Sequence, residues 1–270
     1  MGVLLNSVLI TALAVPATAQ NATQGAAPRS AGAPSAERIR ELVAASHVLH
    51  RLGLMDGYGH VSVRHDKDPN RFLMSRSMGP EFITSDDIME FDLDSTPVDQ
   101  RGRQMHGERF IHSSIYKARP DVQAVVHTHA PALVLMSVID DPMRPIYHMA
   151  GFIGQGIPVF DIRPVAGLSD MLISDGMRGA ALAKGLSDKP AVLMRGHGVT
   201  VVGESVGDAV ARTYYLTINA TLQQQAAMMS RKIQFLAPEE AAKADMVSIS
   251  RKNWEMWMKE DEQASKRAEK

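Results

Sequence analysis

Three histidines and one glutamate are the residues of this chain best suited to chemistry. His127 and His129 close an apolar, β-branched run, Val122-Gln-Ala-Val-Val126. In an extended strand, side chains two apart point to the same side, so the two imidazoles converge. His197 stands between Gly196 and Gly198, in a tight turn flanked by apolar segments. Glycines on both sides let the backbone approach closely and aim the ring inward, a good geometry for a third ligand. Neutral imidazoles suit Zn²⁺, and also Mn²⁺, Fe²⁺ or Co²⁺. Catalytic sites of this kind usually take three protein ligands and leave a position open. Glu108 falls in the first turn of a helix that feeds the His127 strand. A carboxylate there can serve as a fourth ligand at rest, then shuttle a proton when substrate displaces it. Each residue alone has a plainer role: a surface pair, a turn residue, a first-turn acid favoured by the helix dipole. The combination points to chemistry because every member sits at an element end, where side chains can converge.

The elements that must position these groups alternate between strand and helix. Ser35 is placed as an N-cap, with Leu42, Val43, Val48, Leu49 and Leu52 as the buried face of the helix it starts. Gly59 to Arg64 alternates as a strand, with Val61 and Val63 on one face. Strands follow at Phe72-Leu-Met-Ser75 and Ile88 to Leu93, with Ser85-Asp-Asp as a turn or short capped helix between them. Gly107 to Ala118 reads as a helix that ends before Arg119-Pro120, as the pre-proline restriction predicts. After the His127 strand come a short helix over Ala132 to Ser137, a strand over Ile157 to Ile162 and a helix over Ser169 to Leu186. A strand pair, Ala191 to Met194 and Val199 to Val202, flanks Arg195-Gly-His-Gly198. A long helix runs from Val206 to Arg231, and a last one carries Trp254 and Trp257, read as packing or subunit-contact residues. This order predicts an α/β layered domain.

The gross composition sets limits. The chain has 270 residues, 45% of them hydrophobic, and a formal net charge of −1. Near-neutral charge argues against nucleic acid or an anionic membrane surface as the main partner. There is no cysteine, which excludes thiol catalysis, Cys-ligated zinc and disulfides. Residues 1–19 hold an apolar run and Ala17 and Ala19 at signal-peptidase spacing, so they are read as a signal peptide. The competing reading is a start codon placed upstream of the true one. Export implies a periplasmic or secreted protein; otherwise the chain is cytoplasmic. Residues 20–36, rich in Ala, Gly, Ser and Pro, read as a flexible leader, and 37–270 as one domain with C-terminal helices.

Four segments resemble the class II aldolase/adducin family: Gly57-Tyr-Gly-His-Val-Ser-Val-Arg64, Gly107-Glu-Arg-Phe-Ile-His112, Arg119-Pro-Asp-Val-Gln-Ala-Val-Val-His-Thr-His-Ala130 and Arg195-Gly-His-Gly198. The resemblance covers roughly 37 to 235. It implies a three-layer α/β/α sandwich around a central mixed, largely antiparallel sheet of nine strands. It also implies a fourfold-symmetric homotetramer with sites at subunit contacts. Zn²⁺ would sit on His127, His129 and His197, with Glu108 as proton-transfer residue and resting-state ligand.

Departures from the family's sugar-phosphate aldolases point to a branch. Their phosphate cradle has a Thr-Gly pair where this chain reads Ser77-Met78, and a Ser-Ser pair where it reads His106-Gly107. Their enediolate-stabilising Asn is replaced by His60, and their catalytic Tyr aligns near His148 in Tyr147-His-Met-Ala-Gly-Phe152. Imidazoles donate to anionic oxygens, and Arg76 can bind a carboxylate bidentately. These substitutions suit a multiply carboxylated planar substrate. The segments Ser75-Arg-Ser77, Glu108 to His112, His148 to Phe152 and Arg195 to Gly198 are similar to the decarboxylase branch, which acts on 3-carboxy-2-hydroxymuconate semialdehyde and dihydroxyphthalate. The expected function is therefore a metal-dependent carbon–carbon lyase that releases CO₂ through a metal-stabilised enolate. Its catalytic residues are Glu108, His148 and His60, and Arg76, Ser77 and His106 bind substrate. The alternatives are an aldolase for a sugar phosphate or 2-keto-3-hydroxy acid, and a non-enzymatic adducin-like assembly module, which would be expected to have lost the metal histidines.

Overall fold

The computed structural model describes residues 27–229, 232–244 and 246–268. The segment read as a signal peptide and the first part of the leader lie outside the described residues. The described end of the leader is tied to the sheet. Ser30 Oγ donates to Glu90 at 2.6 Å, Ala31 N–H to the same carboxylate at 2.8 Å, and Ser35 N–H to Asp66 at 2.9 Å.

Helix α1 (Ala36–Arg51) starts as expected at Ser35, whose hydroxyl accepts from Arg38 N–H. Then come β1 (His60–Arg64), β2 (Arg71–Ser75), β3 (Ile88–Asp92), α2 (Arg109–Ala118), β4 (Ala124–Thr128), α3 (Pro131–Met136) and β5 (Val159–Phe160). The chain continues through α4 (Arg163–Ala166), α5 (Gly176–Leu186), β6 (Ala191–Met194), β7 (Gly198–Gly203), α6 (Val206–Met228), α7 (Pro238–Ala241) and α8 (Met246–Ala268). One mixed sheet has the order β3-β2-β1-β4-β7-β6-β5, antiparallel throughout except for the β5–β6 pair.

Strand alternation splits the interior into two layers. Val61, Val63, Leu73, Ala124, Val126, Leu193, Val199 and Val201 face α1, α3, α6 and α8. Phe72, Met74, Met89, Phe91, Val125, Val192, Met194 and Val202 face α2 and α5. This is the three-layer α/β/α sandwich expected from the sequence. Trp257 is buried edge-on against Tyr214, ring centres 5.3 Å apart, and Trp254 packs on the same layer, so both serve packing.

Two expectations are corrected. The described sheet has seven strands, not nine. Proline limits extension at both edges: past β3 the returning chain makes only the Phe91–Pro97 bridge, and Pro158 precedes a two-residue β5. Proline has no N–H to give a ladder. The helix expected over Ser169–Leu186 begins only at Gly176, with Asp175 as N-cap accepting from Arg178 N–H. Before it, the Ser169 and Asp170 side chains accept from the N–H groups two residues on. Such local bonds compete with a helix ladder. They leave the stretch irregular, and its backbone groups are used by the site. Among the described residues no helix is long and apolar enough to cross a membrane.

Candidate active site

The side chains expected to converge do so, on the α2–α5 face of the sheet at the end of β4. Val125 faces α2, so His127, two residues on, emerges on that side, and its ring is fully buried. Glu108 is the N-cap residue of α2, but its side chain makes no cap bond and turns to the sheet instead. Glu108 Oε2 lies 3.6 Å from His127 Nε2 and 3.4 Å from His197 Nε2, and the Nε2 atoms of His127 and His129 are 3.1 Å apart. Ligand atoms of Glu108, His127, His129 and His197 all lie within 4.8 Å of one another. A tetrahedral site with bonds of about 2.1 Å has ligand–ligand edges of about 3.4 Å, so this spacing fits a small divalent ion.

The second contacts of the four residues decide the chemistry. His127 Nδ1 donates to the Val199 carbonyl at 3.0 Å, His197 Nδ1 to the Met171 carbonyl at 3.2 Å, and His129 Nδ1 to the Asp56 carboxylate at 3.1 Å. All three partners are acceptors only, so each Nδ1 carries hydrogen and each Nε2 presents a lone pair. Glu108 Oε1 accepts from Ile173 N–H at 2.8 Å, which leaves Oε2 for the cluster. Three lone pairs and a carboxylate oxygen aimed at one point repel one another unless a cation lies between them. The donor set therefore fits a metal, with the outer partners that orient metal-ligating histidines.

Electrostatics agree. Burial pushes His127 down to about 3, against the pull of the Glu108 charge, and His106 to about 4. Burial works to raise Glu108, but the His197 hydrogen bond, the neighbouring imidazoles and Ile173 N–H outweigh it and hold the carboxyl at about 2. Burial likewise opposes charge on His197, but in metal-free protein a proton on its Nε2 bridges to Glu108 Oε2, and that bond prevails and raises the His197 pKa. A bound metal would take that proton's place. At neutral pH the site offers one carboxylate and neutral His127, the form a metal takes.

Backbone geometry explains the His197 turn. Gly196 has φ +65°, and a Cβ at Gly198 would stand 2.3 Å from the Thr128 carbonyl oxygen. Only glycine lets the turn close onto the strand that carries the other two histidines. Met171, whose carbonyl holds His197, also has a positive φ, 65°.

The other expected residues divide. His60 pairs across the sheet with His127, ring centres 5.1 Å apart, and His106 lies 4.7 Å from His60. Both are buried. His106 Nε2 is 3.4 Å from Ser75 Oγ. Arg76 is half-exposed, and its Nε donates to Asp87 at 2.6 Å. Ser77 is held through its backbone N–H to Gln104 at 2.8 Å. His148 opens a 3₁₀ turn, His148–Ile153, is exposed, and packs edge-on against Tyr147. Among the described contacts none joins His148 to the imidazole cluster. Sequence reading did not single out Asp56, Ile173 or Met171. Their contributions are a loop carboxylate, a backbone N–H and a backbone carbonyl, and backbone groups carry no residue signal.

Fold and site together define a class II aldolase-type domain with a His₃Glu centre. The chain belongs to the class II aldolase and adducin N-terminal domain family, whose model matches residues 40–224. It is 34% identical to the decarboxylase tropJ of Talaromyces stipitatus, over 85% of this chain and 96% of that one. It is 31% identical to the 3,4-dihydroxyphthalate decarboxylase of Arthrobacter keyseri, over 69% and 77% of the two chains. The L-fuculose 1-phosphate aldolase of Glaciozyma antarctica has the same fold, with TM-score 0.71, 22% identity, and coverage of 88% of this chain and 96% of that one.

Proposed function

We propose that this protein is a metal-dependent carboxy-lyase for a carboxylated hydroxymuconate or a hydroxylated aromatic acid. The observation that carries the proposal is the imidazole wall beside the His₃Glu cluster. His60 and His106, buried and within ring contact of each other, adjoin His127. Imidazole N–H groups there suit substrate carboxylates, and the likeness to two named decarboxylases supports the same reading. Zn²⁺ is the ion we assign to the centre by donor type, with Mn²⁺, Fe²⁺ or Co²⁺ as alternatives. Bound there, it would supply Lewis-acid stabilisation of the charge that develops as CO₂ leaves.

The residues then divide the work. Glu108, ionised and buried, takes the hydroxyl proton from the substrate and delivers it to the carboxylated carbon, giving the keto tautomer. The carbon–carbon bond then breaks, its bonding pair moves into the adjacent carbonyl as an enolate, CO₂ leaves, and the delivered proton remains as the new carbon–hydrogen bond. His60, His106, Ser77 and Arg76 hold the remaining carboxylates. Arg76 offers its Nη groups, since its Nε is committed to Asp87. His148 serves as the alternative proton donor to carbon. Exposed and outside the cluster, it acts in the site of a neighbouring copy in a homotetramer. Export through residues 1–19 is part of the proposal, and N-terminal sequencing of the native protein tests it.

The experiment is direct assay of metal-loaded protein. CO₂ release from a dihydroxyphthalate or a carboxylated hydroxymuconate is expected. Aldehyde release from fuculose phosphate or a 2-keto-3-hydroxy acid, with no CO₂ from the aromatic substrates, would overturn the reading in favour of an aldolase.

A further inference from the structure

Helix α2 and strand β1 present matching polar stripes to each other inside the α2–α5 layer. Residues four apart share a helix face, and residues two apart share a strand face. Glu108, His112 and Tyr116 therefore lie along one side of α2, and His60, Ser62 and Arg64 along the facing side of β1. His112 and Ser62 are fully buried, and His60 and Tyr116 nearly so. Only Glu108 and His60 have roles in the chemistry above. His112, Ser62 and Tyr116 are buried polar groups without one.

These groups form a single chain of hydrogen bonds. Tyr116 OH is 2.8 Å from Ser62 Oγ, Ser62 Oγ is 2.6 Å from His112 Nδ1, and His112 Nε2 is 2.7 Å from His60 Nδ1. Both rings are buried, neither is hydrogen-bonded to a carboxylate among the described residues, and they share a single hydrogen, so each is neutral with one donor and one acceptor nitrogen. The chain then has two possible directions. In one, Tyr116 donates to Ser62, Ser62 to His112 Nδ1, and His112 Nε2–H to His60 Nδ1. In the other every bond reverses, and the Tyr116 hydrogen is left without an acceptor.

Two observations choose between them. Ser62 Oγ is the acceptor within hydrogen-bond distance of the buried Tyr116 hydroxyl, so a phenol hydrogen turned away from it goes unpaired. The Arg64 guanidinium lies 4.7 Å from the Tyr116 ring centre, and a cation at that end favours dipoles that point their hydrogens away from it. A fully buried hydroxyl deprived of its acceptor would disfavour the reverse direction by about tenfold or more.

We propose that Tyr116, Ser62 and His112 form a one-way hydrogen-bond chain that fixes His60 as the Nε2–H tautomer, a hydrogen-bond donor toward the site. His112 is thus a positioning residue, with Ser62 and Tyr116 behind it. Among the described residues His60 Nε2 has no protein partner, so its hydrogen is available to an anionic substrate oxygen. That last clause rests on the proposed carboxylate chemistry; the tautomer does not.

The test separates the two. In zinc-loaded protein labelled with ¹⁵N-histidine, nitrogen–proton correlation spectra report which ring nitrogen carries hydrogen, and His60 is assigned from the signal lost in His60→Gln. Wild type is expected to show His60 and His112 protonated on Nε2. Tyr116→Phe removes one oxygen and should give a mixed His60 tautomer, with kcat lowered about 3- to 10-fold at unchanged zinc content. Ser62→Ala should do the same, and the double variant should lose no more than the worse single one, because all act through one chain. If Tyr116→Phe fails to fold, Ser62→Ala alone gives the reading. Protonation of wild-type His60 on Nδ1 would sink the proposal, as would a His60 tautomer unmoved by both substitutions. Absence of CO₂ release by wild type would instead count against the carboxy-lyase reading and leave the tautomer result standing.

Discussion

Asp56 offers the sharpest test of how the centre is built. Its Oδ1 and Oδ2 lie 3.1 and 3.2 Å from His129 Nδ1, and Oδ1 also accepts the N–H groups of Tyr58 and Gly59, each at 3.0 Å. Burial works against the charge, but the His129 bond and those N–H groups prevail and hold the carboxyl below its usual range. A carboxylate behind a ligating imidazole fixes its tautomer and raises its basicity, and losing such a partner costs about 10- to 100-fold in metal affinity. The Asp56 side chain is 54% exposed, so water screens its charge. Asp56→Asn keeps the shape and an acceptor oxygen and removes only the charge. Zn²⁺ affinity should therefore fall by about tenfold, or about 1.4 kcal/mol, the lower end of that range. Asp56→Ala also frees the loop N–H groups and should approach 100-fold. Competition against a chromophoric chelator at neutral pH measures both, with Tm of the metal-free proteins as control. Equal affinity for wild type and Asp56→Asn, within twofold, would refute the role given to the Asp56 charge. Unchanged affinity in His129→Ala would go further and remove His129 from the ligand set.

Glu108→Gln preserves the bond from Ile173 N–H but cannot take up a proton. CO₂ release should fall by about 10²- to 10⁴-fold, measured by single turnover at matched metal content. Gly198→Ala places a Cβ 2.3 Å from the Thr128 carbonyl oxygen and 3.2 Å from His129 Cδ2. It should cost about 1–3 kcal/mol in urea unfolding and weaken Zn²⁺ binding. Metal-free protein should lose stability as pH falls below about 6.5. Unfolded imidazoles take up protons there, whereas folded His106 and His127 resist until about 4 and about 3, so the unfolded chain binds more protons in that window. His106 alone contributes about 3 kcal/mol to the loss. Glu108, held at about 2 against an ordinary 4.5, adds a further loss between those values. His197, raised, acts in the opposite sense: it stabilises below about 6.5 and that contribution fades as pH rises through its folded value. Urea midpoints flat between pH 7 and pH 4 would contradict this balance.

The sequence by itself determined the four residues of the cluster and most of the frame. His127 and His129 converge because alternation along a strand is a local rule, and Gly196 and Gly198 marked the turn that carries His197. Helix and strand periods placed most of the elements, and the packed structure sorted their apolar residues into two layers. Local rules failed where long-range groups claimed the backbone. In Ser169 to Asp175 the Ser169 and Asp170 side chains bond N–H groups two residues on, the Met171 carbonyl is spent on His197 and the Ile173 N–H on Glu108. A helix there would have used those same groups internally. The stripes of Glu108, His112 and Tyr116 and of His60, Ser62 and Arg64 were present as spacings, but nothing local says that two stripes face each other. Only the packing of α2 on β1 makes them a hydrogen-bonded chain. Tertiary structure also sets the exposed His148, given a catalytic role by the family resemblance, on Tyr147 and apart from the imidazole cluster. Residue type and period fix what a side chain can do and which way it leaves the backbone. Which groups meet across 50 to 70 positions is decided only when the layers close.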